Sequence, residues 1–133
     1  MQVQQIDHLV LTVADIERSV EFYRRVLGMQ RIEFAGGRTA LTCGAQKINL
    51  HESGREFEPR AGRVMPGSAD LCFIIDTPVV EAIEALRALD VDVIEGPVPR
   101  TGAQGPITSA YLRDPDGNLL EISNYVASDT LET

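Results

Sequence analysis

The chain holds two histidines, His8 and His51, and each sits in a run of alternating apolar residues, "HLVLTV" and "KINLHE". An imidazole in a strand is either a polar side chain hydrogen-bonded inside a wet cavity or a group that ligates and moves protons. Its neighbours decide. In "HLVLTV" the period of two puts Leu9, Leu11 and Val13 on one face and His8 with Val10 and Thr12 on the other. In "KINLHE" Ile48 and Leu50 form the apolar set and leave Asn49 beside His51. Two later runs repeat the pattern with carboxylates. "DLCFII" has Asp70 where the first run has His8, and "NLLEIS" has Glu121 where "KINLHE" has Asn49, with Ser123 in place of His51.

Two carboxylates held close together in a half-buried cavity repel each other, which raises a pKa unless a cation lies between them. Imidazole and carboxylate oxygen suit a divalent transition metal, and open coordination positions would remain for water or substrate. Glu121, flanked by Leu119, Leu120 and Ile122, is costly to leave unpaired. Asp70 has two readings: a ligand, or a carboxylate that accepts backbone hydrogen bonds or pairs with an arginine. His51, at a strand end, is a supporting group, a general base or a ligand. As a ligand it would complete, with His8 and Glu121, the two-histidine, one-carboxylate set of non-haem Fe(II) oxygenases. Asn49 orients water or substrate. Tyr111, in "TSAYLRD", is either rim packing or a hydroxyl donor to a developing oxyanion. Arg100 and Thr101 fall in the Gly/Pro-rich "GPVPRTGAQGP", which reads as a loop whose arginine is either solvated or a clamp for a substrate carboxylate.

The elements that position these groups also repeat. After the first strand Asp15 stands where an N-cap belongs, "IERSVEFYRRVLG" carries a helical apolar stripe, and Gly28 ends it. "QRIEFA", "RTALTC" and "KINLHE" follow as strands. In the second half "DLCFIID" leads to Thr77 as N-cap, Pro78 at the first helical position and a stripe through Val79, Ile83 and Leu86. The strands "VDVIEG", "ITSAYLRD" and "NLLEISNY" complete it, with "DPDG" as the turn between the last two. The fold class is therefore α+β: two tandem βαβββ modules, at about 5–52 and 69–126, within one domain. A charged linker at about 53–68 and a tail at 127–133 complete the chain. Paired modules are expected to curl a mixed sheet into a cup with the helices outside, within a chain or across a dimer.

Bulk properties narrow the partners. At 133 residues, 44% apolar, the chain can bury one core unaided. A net charge of −8 with no Lys/Arg-rich run argues against nucleic acid and anionic membranes as partners. Cys43 and Cys72, inside apolar runs, read as buried core residues of a reducing compartment. The first residues carry no basic, then apolar, leader, so a cytoplasmic location is expected.

The stretches "DHLVLTVADIERSVEFYRRVLGM" and "YLRDPDGNLLEIS" resemble the vicinal-oxygen-chelate superfamily, which holds glyoxalase I, extradiol dioxygenases, and fosfomycin- and bleomycin-resistance proteins. "AQKINLHE", "EFEPRAG", "PGSADLCFI" and "EGPVPRTGAQGPI" narrow the resemblance to small glyoxalase-domain proteins, some labelled virulence proteins. It covers the chain to about Tyr125. The resemblance implies a divalent metal (Fe, Mn, Ni, Co or Zn) held from the first and last strands of each module, a small-molecule substrate and a homodimer. The ligand pattern carries over to His8 and Glu121. Asp70 stands where glyoxalase I and extradiol dioxygenases have histidine, and Asn49 where glyoxalase I has glutamate. The third ligand is thus Asp70 or His51. The expected function is lyase, isomerase or dioxygenase chemistry on a molecule with adjacent oxygens; the alternative is a metal-free drug-binding protein.

Overall fold

A computed structural model describes residues 1–127, so all but the first residue of the 127–133 tail lies outside the described residues. By its internal contacts the chain divides into two units: residues 1–69 with 114–117, and residues 70–113 with 118 onward.

The first unit runs β1 (His8–Val13), α1 (Ile16–Leu27), β2 (Arg31–Phe34), β3 (Arg38–Cys43) and β4 (Gln46–Glu52). Its four-stranded sheet has the order β1-β4-β3-β2, with β1 and β4 parallel and the other pairs antiparallel. A parallel pair needs a long crossover, which α1, β2 and β3 supply. Asp15 caps α1 by accepting the Arg18 N–H at 3.0 Å, and Gly28 closes it in the left-handed conformation at φ 67°. The helix buries Val20 and Tyr23 toward β3 and β4, over Leu11, Val13, Leu41, Ile48 and Leu50. Deleting any of these leucines to alanine would cost roughly 2–5 kcal/mol.

The "DPDG" turn belongs to this unit and does more than reverse the chain. Tyr23, fully buried, donates its hydroxyl to Asp114 Oδ2 at 2.6 Å. Asp116 accepts from the Ala14 N–H at 3.2 Å and from Arg18 at 3.1 Å. The turn is thereby anchored at both ends of the β1–α1 corner.

The second unit repeats the order: β5 (Asp70–Ile74), α2 (Val79–Ala88), β6 (Glu95–Gly102), β7 (Gly105–Arg113) and β8 (Leu119–Tyr125). Its sheet has the order β5-β8-β7-β6, again with one parallel pair. Val79, Ala82, Ile83 and Leu86 are the buried stripe of α2. Both sheets are mixed and open-edged, each with one helix.

Three expectations need correction here. Thr77 is not the cap of α2. Pro78 occupies the N-cap position, and the Val79 N–H is taken by Asn124 Oδ1 of β8 at 2.8 Å. Proline has no side-chain acceptor, so a distant residue supplies one. Arg100 and Thr101 are not in a loop: "GPVPRTG" forms most of β6, while 91–94 is not strand. Two prolines are tolerated because β6 is an edge strand, with a register shift between Glu95 and Val98. Gly96 fits there because an added Cβ would lie 2.7 Å from the Ala110 Cα. Finally, Cys72 is exposed and Cys43 only half-buried. The alternation of β5 puts Cys72 with Asp70 and Ile74, away from Leu71 and Phe73.

Candidate functional site on the open sheet faces

In the first unit, strand register sets the positions on the face opposite the apolar set. His8 pairs with Lys47, Val10 with Asn49 and Thr12 with His51. Asn49 in turn faces Ala40 of β3. His8 is half-exposed, and its Nδ1 lies 2.8 Å from Asp7 Oδ2. With Nδ1–H given to Asp7, Nε2 is left as a lone-pair donor. His51 stands four residues further along the register, about 13 Å away at a rise of roughly 3.3 Å per residue. The first unit therefore does not bring the two imidazoles side by side.

His51 is 7% exposed, its ring edge-on to Phe57 at 5.6 Å. The Arg38 guanidinium lies over the Phe57 ring, 4.3 Å from its centroid. Burial first, and the positive charge of Arg38 second, hold the His51 imidazole below its usual pKa, so it is neutral at pH 7. Its Nδ1 and the neighbouring Asn49 Oδ1 are buried without a hydrogen-bond partner. Buried polar atoms are nearly always paired, so these two call for a partner, a water or a ligand atom, on this face. Phe57 comes from the linker, which is less solvated than its composition suggests. Glu56 accepts the Gly54 N–H, and Arg60 pairs with both Glu56 and Glu58.

In the second unit Glu121 lies directly opposite Cys72 on β5 and Tyr111 on β7. Glu121 Oε2 accepts from the Ser109 hydroxyl at 2.6 Å and, more weakly, from Ser123 at 3.5 Å. The two serines, both fully buried, are 2.7 Å from each other, and Cys72 Sγ lies 3.4 Å from Ser123 Oγ. Glu121 Oε1 has no partner among the described residues. Asp70, at the start of β5, is exposed and makes no ion pair or side-chain hydrogen bond among them. The Tyr111 hydroxyl accepts from Arg100 Nε at 2.9 Å. Arg100 also reaches the Pro99 carbonyl and Glu95, so each of its nitrogens is engaged. Thr101 is exposed opposite Pro106.

Among the described residues no three His, Cys, Asp or Glu side chains gather closely enough to hold a metal ion. The donor chemistry of His8, Asp70 and Glu121 fits a divalent cation residue by residue. One imidazole nitrogen and one carboxylate oxygen are each held by a neighbour, with the other atom left over, as metal ligands commonly are. Four residues of these surroundings escaped the sequence reading. Asp7 adjoins His8, and Ser109 shares a face with Tyr111 by simple alternation. Counting back through the β3–β4 hairpin would have put Arg38 next to His51. Phe57 carried no signal, because the linker has no periodicity.

Comparison with known proteins agrees with this architecture. The model of the Glyoxalase/Bleomycin resistance protein/Dioxygenase superfamily matches residues 5–122. Virulence protein STM3117 of Salmonella typhimurium is 55% identical over 126 residues, covering 95% of this chain and 88% of that protein. A lactoylglutathione lyase of Pseudomonas aeruginosa is 30% identical, covering 87% of this chain and 80% of that one. A solved structure from the mobile metagenome of V. Pseudocholerae superposes with a TM-score of 0.93 at 57% identity, covering 96% and 98% of the two chains. With its two repeated modules and a family match across nearly all of its length, the chain belongs to the Glyoxalase/Bleomycin resistance protein/Dioxygenase superfamily.

Proposed function

We propose that this protein is a divalent-metal-dependent enzyme that moves a proton on a small molecule carrying two adjacent oxygens, in lyase or isomerase chemistry. The observation that carries the reading is the half-engaged state of its two best donors. Asp7 holds one nitrogen of His8, and Ser109 holds one oxygen of Glu121. The 30% identical lactoylglutathione lyase supports the reaction class.

His8, Glu121 and Asp70 would hold the ion, which when bound supplies Lewis-acid charge to the substrate oxygens. The remaining work falls to the chain's own groups. His51 is held neutral, so its imidazole can accept a proton as general base. Tyr111 accepts from Arg100, which leaves its own O–H to donate to a developing oxyanion. Asn49 and Thr101 orient the substrate, while Arg100 acts chiefly by fixing Tyr111. Proton transfer fits better than ring cleavage by Fe(II) and O₂, because ring cleavage calls for a second histidine beside the ion and His51 stands about 13 Å from His8 along the register. The working form is a homodimer: Val10 and Ile32 on the open face of the first sheet, and Ile74 on the second, are exposed apolar side chains.

The test is proton exchange. Hydroxyacetone, a small molecule with adjacent oxygens, is incubated in D₂O with the protein and each of Mn, Fe, Ni, Co and Zn, and loss of its CH₂ proton signal is followed by NMR. Exchange that requires metal and falls at least a hundredfold in His51→Gln supports the proposal. Exchange no faster than metal alone with every ion counts against it.

A further inference from the structure

Acidic residues outnumber basic ones by 20 to 12 in this chain, so an arginine readily finds a carboxylate. Arg18, Arg24, Arg31, Arg55, Arg60, Arg87 and Arg100 all do. Arg38 does not. It is half-buried on β3, with its guanidinium on the Phe57 ring, and its side chain makes no hydrogen bond or ion pair among the described residues. Glu56 and Glu58, the carboxylates close enough to influence the neighbouring His51, are already bound by Arg60. Stacking uses the face of a guanidinium and leaves its edge, with N–H donors in a fork that matches an oxyanion. Lys47 on β4 repeats the arrangement, with its ammonium 3.6 Å from the Phe34 centroid and no carboxylate partner. Beside Arg38 lie the two buried polar atoms without partners, His51 Nδ1 and Asn49 Oδ1. Unpaired cations and unpaired buried polar atoms thus share one face of the first sheet.

We propose that Arg38 is the anion-recognition residue of this face, and that the ligand is a small organic anion whose carboxylate or phosphate seats on the guanidinium edge beside His51. The inference names the substrate class for the proposed enzyme, and as a substrate site it rests on that reading. As an anion site it stands on Arg38 alone. An acidic chain repels anions at long range, so two unpaired cations here serve a local purpose. Stacking on Phe57 also fixes the guanidinium in advance, so that little side-chain entropy is lost on binding.

The experiment uses the two histidines as reporters, since their ring signals are the only imidazole resonances in the chain. Metal-free protein in chelator is titrated with lactate, with inorganic phosphate and with neutral lactamide, and the His8 and His51 ring shifts are followed by NMR. The expected result is a saturable shift of His51, not His8, by lactate or phosphate and none by lactamide. Movement by lactate alone identifies a carboxylate site and by phosphate alone a phosphate site. Arg38→Gln should weaken binding about tenfold or more, Arg38→Lys should recover only part, and Arg63→Gln in the linker should leave it unchanged. Equal movement by lactamide, no movement by either anion, or unchanged affinity in a folded Arg38→Gln overturns the proposal. Because metal is absent throughout, failure here leaves the metal reading standing, and failure of the metal reading leaves this site standing.

Discussion

Replacing Asn124 by alanine should destabilise the protein far more than replacing Thr77, although the sequence around α2 points to Thr77. Asn124 makes three hydrogen bonds from β8: its Oδ1 accepts the Val79 N–H at 2.8 Å, and its Nδ2 donates to the Ile75 and Thr77 carbonyls at 3.2 and 3.0 Å. Losing a helix N-cap costs about 0.5–2 kcal/mol. Two further part-buried bonds at about 0.5–1.5 kcal/mol each bring Asn124→Ala to roughly 1.5–5 kcal/mol, centred near 3. For a chain of this length that is about a 10 °C fall in melting temperature. Thr77 hydroxyl contacts only the Asp76 side chain, an exposed pair, so Thr77→Ala should stay within about 0.5 kcal/mol. Asn124→Asp keeps the acceptor and loses both donors, so it should fall between the two. Urea denaturation reads all three as changes in midpoint at constant slope. If Thr77→Ala costs as much as Asn124→Ala, the cap has been assigned to the wrong side chain.

Other perturbations have equally definite outcomes. Tyr23→Phe removes a buried hydrogen bond to the Asp114 carboxylate, and urea denaturation should show a loss of about 1.5–3 kcal/mol. Gly96→Ala sets a Cβ against the Ala110 backbone at a φ of 136°, and should cost more than any exposed glycine substitution in the same assay. Acid should act through His51. Its folded pKa is depressed, so below the ordinary histidine value of about 6.5 the unfolded chain binds more protons than the folded one, and stability falls as pH drops through that window. His51→Gln should flatten this part of the stability–pH profile; an unchanged slope would show that the imidazole is not held neutral.

Much of the fold was legible because its signals are local. The Asp15 cap, the Gly28 stop and the period-two alternation of β1, β4 and β8 depend on residues within a few positions of each other. The alternation also sufficed to assign Asn49, His51 and Glu121 to faces. What escaped depends on long-range pairing. Pro97 and Pro99 made β6 look like a loop, and only its position at the edge of the sheet makes them tolerable there. Asn124 lies 45 residues from the N–H it caps, and Asp114 lies 91 residues from the Tyr23 that donates to it. The Ser109 support of Glu121 needs the β7–β8 register, which pairs Ser109 with Ser123. Composition also misled: Cys72 sits in an apolar run, yet its parity puts it on the exposed side.

The central claim is that His8 and Glu121 hold a metal, and elemental mass spectrometry of the purified protein measures it most directly. Wild type should carry, or take up from supplied Mn, Fe, Ni, Co or Zn, close to one divalent ion per chain. Folded His8→Ala and Glu121→Ala should carry almost none, Asp70→Ala should retain less than wild type, and Ser109→Ala should bind the ion about 10–100-fold more weakly. Wild type that takes up no metal, or folded His8→Ala and Glu121→Ala variants that retain it in full, would contradict the account and make a metal-free binding protein the better description.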